Sequence, residues 1–341
     1  MKLPAVFERY SAEINIDLKS VLAERQSPLY DMMRYHFGWL DDNGKPRQSS
    51  AGKALRPILC LLACEAVGGE YRRALPAAAA VELIHNFSLI HDDIQDDDRE
   101  RRHRPTVWSI WGKPQGINAG TAMRILASLA LSRLRDHDVS VPKQLRAQQI
   151  IDESSLRLVE GQYLDISYES RLDIKVNGYL DMIERKTAAL VTSSLEIGAL
   201  LGTDDERMIE SFRDIGRNLG LAFQIKDDIL GIWGDSKETG KSLGSDIRNR
   251  KKTLPIVLAL EKAEDGPRRE LVNIYRDGML SEDGVSTVLR ILKTVDAQAN
   301  AQKMTERYCD QARQVIDKLA LVSSARRDFE ELLHFWVERS F

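Results

Sequence analysis

Cysteine is scarce: only Cys60, Cys64 and Cys309 occur in 341 residues. The first two stand four apart in an apolar helical pattern, which puts them on one helix face and rules out a disulfide framework. They read as small buried hydrophobes of a reducing compartment. Long apolar runs are also missing, and no stretch reaches the roughly 18 residues of a membrane span. The start of the chain, Met1 to Glu8, lacks the apolar core of a secretory signal. Together these features lead to the expectation of a cytoplasmic protein. An excess of positive charge is absent too. A net charge of -3 gives no general attraction to nucleic acid, so any phosphate recognition must come from local basic clusters. Alternating, β-branched strand patterns are nearly absent, and no linker marks a domain boundary.

What is present is helical. With 43% hydrophobic and 30% charged residues, the chain can bury a large core. Apolar residues recur at steps of three and four, as in Ile215, Leu219, Ala222, Ile225 and Ile229. Pro76 fits the first turn of a helix running through Ala77, Val81, Ile84, Phe87 and Ile90. That helix is apolar on nearly every side, hence central, yet it runs into Asp92, Asp93 and Asp96. Buried carboxylates at the end of a core helix need partners. Two segments read as loops: Asp41 to Lys53, with Gly44, Pro46 and Gly52, and 234–253, with Gly234, Gly240 and Gly244. The second carries six basic residues against three acids, and a mobile positive loop of this kind suits a lid over an anion.

The chemistry concentrates in two places. Between His91 and Pro105, five aspartates are followed by four arginines. On a helix, Asp92 and Asp96 are one turn apart, about 5.4 Å in rise, so both carboxylates reach the same side. Clustered carboxylates repel unless cations neutralise them, and hard oxygen donors suit Mg²⁺, which retains waters and shares them with substrate phosphates. The arginines then offer bidentate phosphate contacts. A second pair, Asp227 and Asp228, sits inside another apolar helix, where ionised aspartates are costly without a cation. Two such clusters, each followed by basic residues, form a cage for one diphosphate and several Mg²⁺ ions.

These residues resemble the trans-isoprenyl diphosphate synthase (polyprenyl synthetase) family over almost the whole chain. The matching pieces run in order: Gly52 to Pro57, His85 to Asp96, Arg101-Arg102 with Pro105-Thr106, Gly161 to Asp165, Lys186-Thr187, Phe223 to Asp228, and Lys251 to Pro255. The resemblance implies one all-α domain over 1–341, a large antiparallel helix bundle around a central cavity, assembled as a homodimer. It implies that Lys53, Arg56, His85 and Arg102 bind isopentenyl diphosphate, and that Arg101, Lys186, Thr187, Gln224, Lys241 and Lys251 bind the allylic diphosphate. Lys186, Thr187 and Gln224 would line the reacting carbon. Asp92, Asp93, Asp96, Asp227 and Asp228 would hold three Mg²⁺ ions, with Gln162 and Asp165 in support.

The implied activity is head-to-tail prenyl transfer. Phe87, five residues before Asp92 and so roughly 7 to 8 Å below it, would act as the floor for the growing tail, with Ser88 leaving space beside it. That combination is similar to C20 synthases, so geranylgeranyl diphosphate is the expected product. C15 or C25+ synthesis, a class I terpene cyclase or head-to-head coupling enzyme, and a noncatalytic helical partner subunit are the alternatives. Three positions depart from the family pattern. Gly231 replaces a third aspartate of the second motif, His103 replaces a glycine after the arginine pair, and Thr121 replaces a common aspartate.

Overall fold

The structure is a computed structural model that describes residues 4–47, 54–234, 244–276 and 280–338. Lys53 and Lys241 lie outside the described residues, as does the stretch 235–243 of the basic loop.

The chain folds as an all-α bundle whose described β structure is one two-residue hairpin, β1 Glu100–Arg101 with β2 Arg104–Pro105, beside an isolated Leu40–Pro46 bridge. The first helix, α1 (Val6–Leu22), buries Tyr10, Ile14, Leu18 and Leu22 at steps of four. Next, α2 (Pro28–His36) opens on Ser27, whose hydroxyl accepts the Leu29 amide, with a first-turn proline. At the centre stand α3 (Leu55–Ala66), α4 (Leu75–Gln95) and α9 (Ala189–Gly202). All three are buried on nearly all sides, which explains their continuous apolar sequence. The expected core helix beginning at Pro76 is α4, with Pro76 in its first turn.

Around this centre pack α5 (Val107–Trp111), α6 (Lys113–Leu131), α7 (Val141–Glu169), α8 (Val176–Ile183) and α10 (Glu206–Trp233). At 28 residues, α10 extends about 42 Å, and its Ile215, Leu219, Ala222, Ile225 and Ile229 are all buried. Its Gly220 lies so close to the residue preceding α9 that a Cβ there would come within 2.5 Å of the Ala188 Cα, so only glycine permits that close approach.

The remaining described helices, α11 (Ser245–Arg248), α12 (Leu254–Lys262), α13 (Asp265–Arg276), α14 (Glu282–Thr294), α15 (Ala297–Lys318) and α16 (Ser323–Glu338), complete the bundle. A smaller apolar cluster gathers Ile232, Ile247, Ile256, Leu271, Val288 and Ile291. It gives an order to 244–253 that the loop expectation did not include. Ile247 is fully buried, Gly244 donates its amide to the Ile232 carbonyl, and Ser245 donates its hydroxyl to the Gly231 carbonyl. The charged residues of the segment had masked this single apolar anchor.

Candidate active site

Asp92 and Asp93 fall in the last turn of α4, and Asp227 and Asp228 in the turn before the last of α10. A helix C-terminus carries partial negative charge, so carboxylates there are disfavoured twice and call for cations. Asp96 caps α4. Burial pushes Asp92 up to about 6, offset in part by Lys186 and raised further by Asp96. Asp96 is raised for the same leading reason, with Lys186 and Lys251 as the opposing charges.

Asp93 behaves differently. One helical step from Asp92, it points elsewhere: it is 1% exposed, and its Oδ1 accepts the Arg101 Nε at 2.7 Å. The carboxylate thus fastens the β1–β2 hairpin to the end of α4. The two hairpin turn residues, Arg102 and His103, both hold positive φ, 53° and 58°, as a two-residue type I′ turn requires. That conformation is why glycine is the usual residue at the second position, and why His103 is strained there.

Lys186 and Thr187 come from a single π turn, Glu184–Ala188, between α8 and α9. Such turns displace side chains from the regular helical register and recur at functional sites. This one is packed against α7 at Gly161, where a Cβ would lie 2.2 Å from the Lys186 amide nitrogen. Lys186 donates to Asp165 and also faces Asp92 and Asp96. Burial works against its charge, but the three carboxylates outweigh it and hold Lys186 above its usual range. Beside it, Thr187 donates its hydroxyl to Gln224 Oε1 at 2.8 Å, so one turn of chain touches the surroundings of both aspartate clusters. Gln162 donates to Gln95 at 2.9 Å, again joining α7 to the end of α4.

In the second cluster the two aspartates also divide. Asp228, 3% exposed, accepts the Tyr179 hydroxyl, Gln224 Nε2 at 3.0 Å and the Leu254 amide at 3.0 Å. Burial raises it to about 7. These bonds tie α8, α10 and the start of α12 together and fix the segment bearing Lys251. Asp227 is half-buried and acts on Arg56 across the gap between α10 and α3.

A cationic patch completes the site. Arg56 Nη1 lies 3.3 Å from His85 Nε2, and its Nε is buried without a partner. Burial, then Arg56 and Arg102, press His85 well below its usual range, so it is a neutral imidazole. Behind it, Glu82 accepts Asn86 Nδ2 at 2.8 Å, Asn86 Oδ1 lies 3.1 Å from His36 Nε2, and Glu82 Oε2 has no partner. Phe87 and Ser88 are buried on α4 below Asp92, with the Phe87 ring edge-on to His91 at 5.7 Å. Thr121 is exposed on α6.

Arg56, His85, Arg101 and Arg102 thus form one cationic group, and Asp92, Asp96, Asp165 and Lys186 a second. Thr187, Gln224 and Asp228 form a third. Sequence reasoning missed Tyr179, Glu82, Asn86 and His36. Of these, only Glu82 carried a signal, as an acid within an otherwise apolar helix. Among the described residues, no three acid, histidine or cysteine side chains close on a point as a full metal cage. The hard oxygen donors at Asp92 and Asp96, raised by burial, fit Mg²⁺ bound by one or two carboxylates and completed by substrate phosphate and water.

The polyprenyl synthetase profile matches residues 38–292. The (2E,6E)-farnesyl diphosphate synthase of Mycobacterium tuberculosis is 38% identical over 93% of this chain and 88% of its own length. The geranylgeranyl diphosphate synthase of the same organism is 40% identical over 80% of this chain and 76% of its own. The crystal structure of a polyprenyl synthetase from Streptomyces coelicolor superimposes with a TM-score of 0.90 at 36% identity, covering 97% of this chain and 98% of that one. With this bundle, this order of motifs and these likenesses, the chain belongs to the polyprenyl synthetase family and is a prenyltransferase.

Proposed function

We propose that the protein condenses isopentenyl diphosphate head-to-tail with allylic diphosphates, with Mg²⁺ as cofactor, and that its main product is C20 geranylgeranyl diphosphate. The observation that carries the reading is the Lys186-Thr187 turn, which faces the Asp92/Asp96 carboxylates on one side and bonds Gln224 on the other.

In this reading Asp92, Asp96 and Asp227 hold the cations, and bound Mg²⁺ supplies charge neutralisation of the departing diphosphate. Arg101, Lys186 and Lys251 grip that diphosphate, together with Lys241. Arg56, His85 and Arg102, with Lys53, grip isopentenyl diphosphate, and neutral His85 adds a hydrogen bond without a further charge. The allylic C–O bond breaks with its electron pair going to the diphosphate. The Thr187 and Gln224 dipoles face the carbon left cationic. The π pair of isopentenyl diphosphate forms the new C–C bond, and the diphosphate takes the proton released. Asp93 and Asp228 are positioning residues here, the first for Arg101 and the second for Gln224 and the Lys251 segment.

The C20 reading rests on Phe87 beneath the first cluster with the smaller Ser88 next to it. Relatives carry both farnesyl and geranylgeranyl names, so product sizing decides. Labelled isopentenyl diphosphate with C5, C10 and C15 primers should yield a C20 product from each, and accumulation of C15 would overturn the length.

We also infer a homodimer. Ile117, Ile125 and Leu129 on α6, with Leu156, Val159 and Tyr163 on α7, leave large apolar side chains 47–70% exposed, the kind of surface that a subunit interface covers. Mass by light scattering tests it. No described helix is long and apolar enough to cross a membrane; a cytoplasmic location is consistent with that and remains part of this proposal.

A further inference from the structure

Glu82 stands inside the apolar stretch of α4 and is 4% exposed. Its neighbours fix where the hydrogens lie. Asn86 Nδ2 is 2.8 Å from the Glu82 carbonyl and 2.8 Å from Glu82 Oε1. Both of these accept, so the amide NH₂ faces them and Asn86 Oδ1 faces His36. His36 Nε2, 3.1 Å from that oxygen, is therefore the donor. Burial, then Arg101 and Arg102, push His36 down to about 3, so its ring is neutral and Nδ1 is left as an acceptor. The ring stands in the wall of a cavity of about 170 Å³ that Arg47, Arg101, Arg102 and Arg104 also line.

Glu82 also faces the cationic patch. It is the strongest charge acting on both Arg56 and Arg102, ahead of Asp227 for the first and of Arg101 and Asp93 for the second. Glu82 Oε2 and Arg56 Nε are each buried without a hydrogen-bond partner among the described residues, so charge rather than a direct bond relates them. Burial disfavours both guanidinium charges, and like charges gathered in one place repel. A single carboxylate facing the two offsets both penalties, and Asn86 holds that carboxylate still.

We propose that Glu82 is a positioning residue for isopentenyl diphosphate: a fixed counter-charge shared by Arg56 and Arg102, which keeps both guanidiniums gathered before the substrate arrives and, through Asn86, sets the tautomer of His36. The inference rests on the assignment of Arg56, His85 and Arg102 to isopentenyl diphosphate given above. The gain is preorganisation, since arginines already in place lose less freedom when the diphosphate binds.

The test is steady-state condensation of isopentenyl diphosphate with a C10 allylic primer by the full chain, with folding checked by circular dichroism. Glu82→Gln keeps the shape and removes the charge. It should raise the KM for isopentenyl diphosphate roughly 10–100-fold, the range for interactions with a charged group, while kcat and the allylic KM stay within about twofold. Glu82→Asp, which keeps the charge on a shorter stem, should recover part of the loss. An isopentenyl KM unchanged or lowered in folded Glu82→Gln, while Arg56→Ala raises it, would overturn the proposal and leave the substrate assignment intact. An allylic KM raised as much as the isopentenyl KM would show a general structural effect and overturn it too. An unchanged isopentenyl KM in folded Arg56→Ala would overturn both. A further measurement needs no change at Glu82: ¹⁵N NMR of the histidines, with His36 assigned through His36→Gln, should show that ring neutral and protonated on Nε2 down to about pH 5. A charged ring or an Nδ1–H tautomer would overturn the relay through Asn86.

Discussion

Arg101 donates its Nε to Asp93 Oδ1 at 2.7 Å across the junction between β1 and the end of α4. The neighbouring Asp92 faces Lys186 instead, so two adjacent aspartates serve two different structures. The same division recurs at Asp227 and Asp228. In each pair one carboxylate faces a basic side chain, Lys186 for Asp92 and Arg56 for Asp227, and the next is hydrogen-bonded to a neighbouring segment.

This division predicts different consequences for adjacent substitutions. Asp93→Asn should raise the KM for the allylic diphosphate about tenfold or more, the worth of a charged hydrogen bond, while diphosphate-dependent Mn²⁺ affinity stays within about twofold. Asp92→Asn should lower the metal affinity. Loss of metal affinity in Asp93→Asn would place that residue with the ligands after all.

The raised Asp92 carboxyl has a consequence for stability. A carboxyl at about 6 in the folded chain against 3.8 unfolded takes up a proton on folding within that window, so its contribution to stability falls as pH rises from about 4 to 6. Asp92→Asn removes this cost. The ligand-free variant should melt about 1–3 °C above the parent at pH 7.5, with the difference vanishing near pH 4. A variant less stable at pH 7.5 than the parent would show that Lys186 already compensates the charge fully.

His103 at φ 58° bears a left-handed conformation that costs a non-glycine residue roughly 1 kcal/mol. His103→Gly should recover part of it, raising the melting temperature by about 1–2 °C with kcat unchanged. Thermal unfolding of the two proteins decides it, and a fall in melting temperature would show that the histidine ring compensates for its backbone.

Phe87 stands as the proposed floor of the tail site, its ring braced edge-on by His91. Phe87→Ala should shift the main product to C25 or longer. An unchanged product distribution from a folded, active variant would place the floor on other residues.

Much of this architecture was legible in the residues themselves. The α4 and α10 helices announce their burial by spacing, and Asp92 with Asp96 share a face by arithmetic. Side-chain allegiance was not legible. Nothing in the order of residues distinguishes Asp92 from Asp93, because the partner of the second, Arg101, is supplied by a hairpin turn. Tyr179 and Leu254 find Asp228 only because α8 and α12 pack against α10, and such long-range pairing leaves no local signal.

The most direct test of the central claim, that carboxylates from α4 and α10 hold divalent cations around a reacting diphosphate, is single-turnover condensation of labelled isopentenyl diphosphate with an allylic primer. It should be run on the parent protein, Asp92→Ala and Asp227→Ala, each with Mg²⁺ and after chelator treatment. Both variants should retain helical circular dichroism and lose at least about 100-fold in rate, the scale of losing preorganised stabilisation of developing charge, and chelated parent protein should be inactive until Mg²⁺ is restored. Turnover near the parent rate in either variant, or in the chelated protein, would contradict the account.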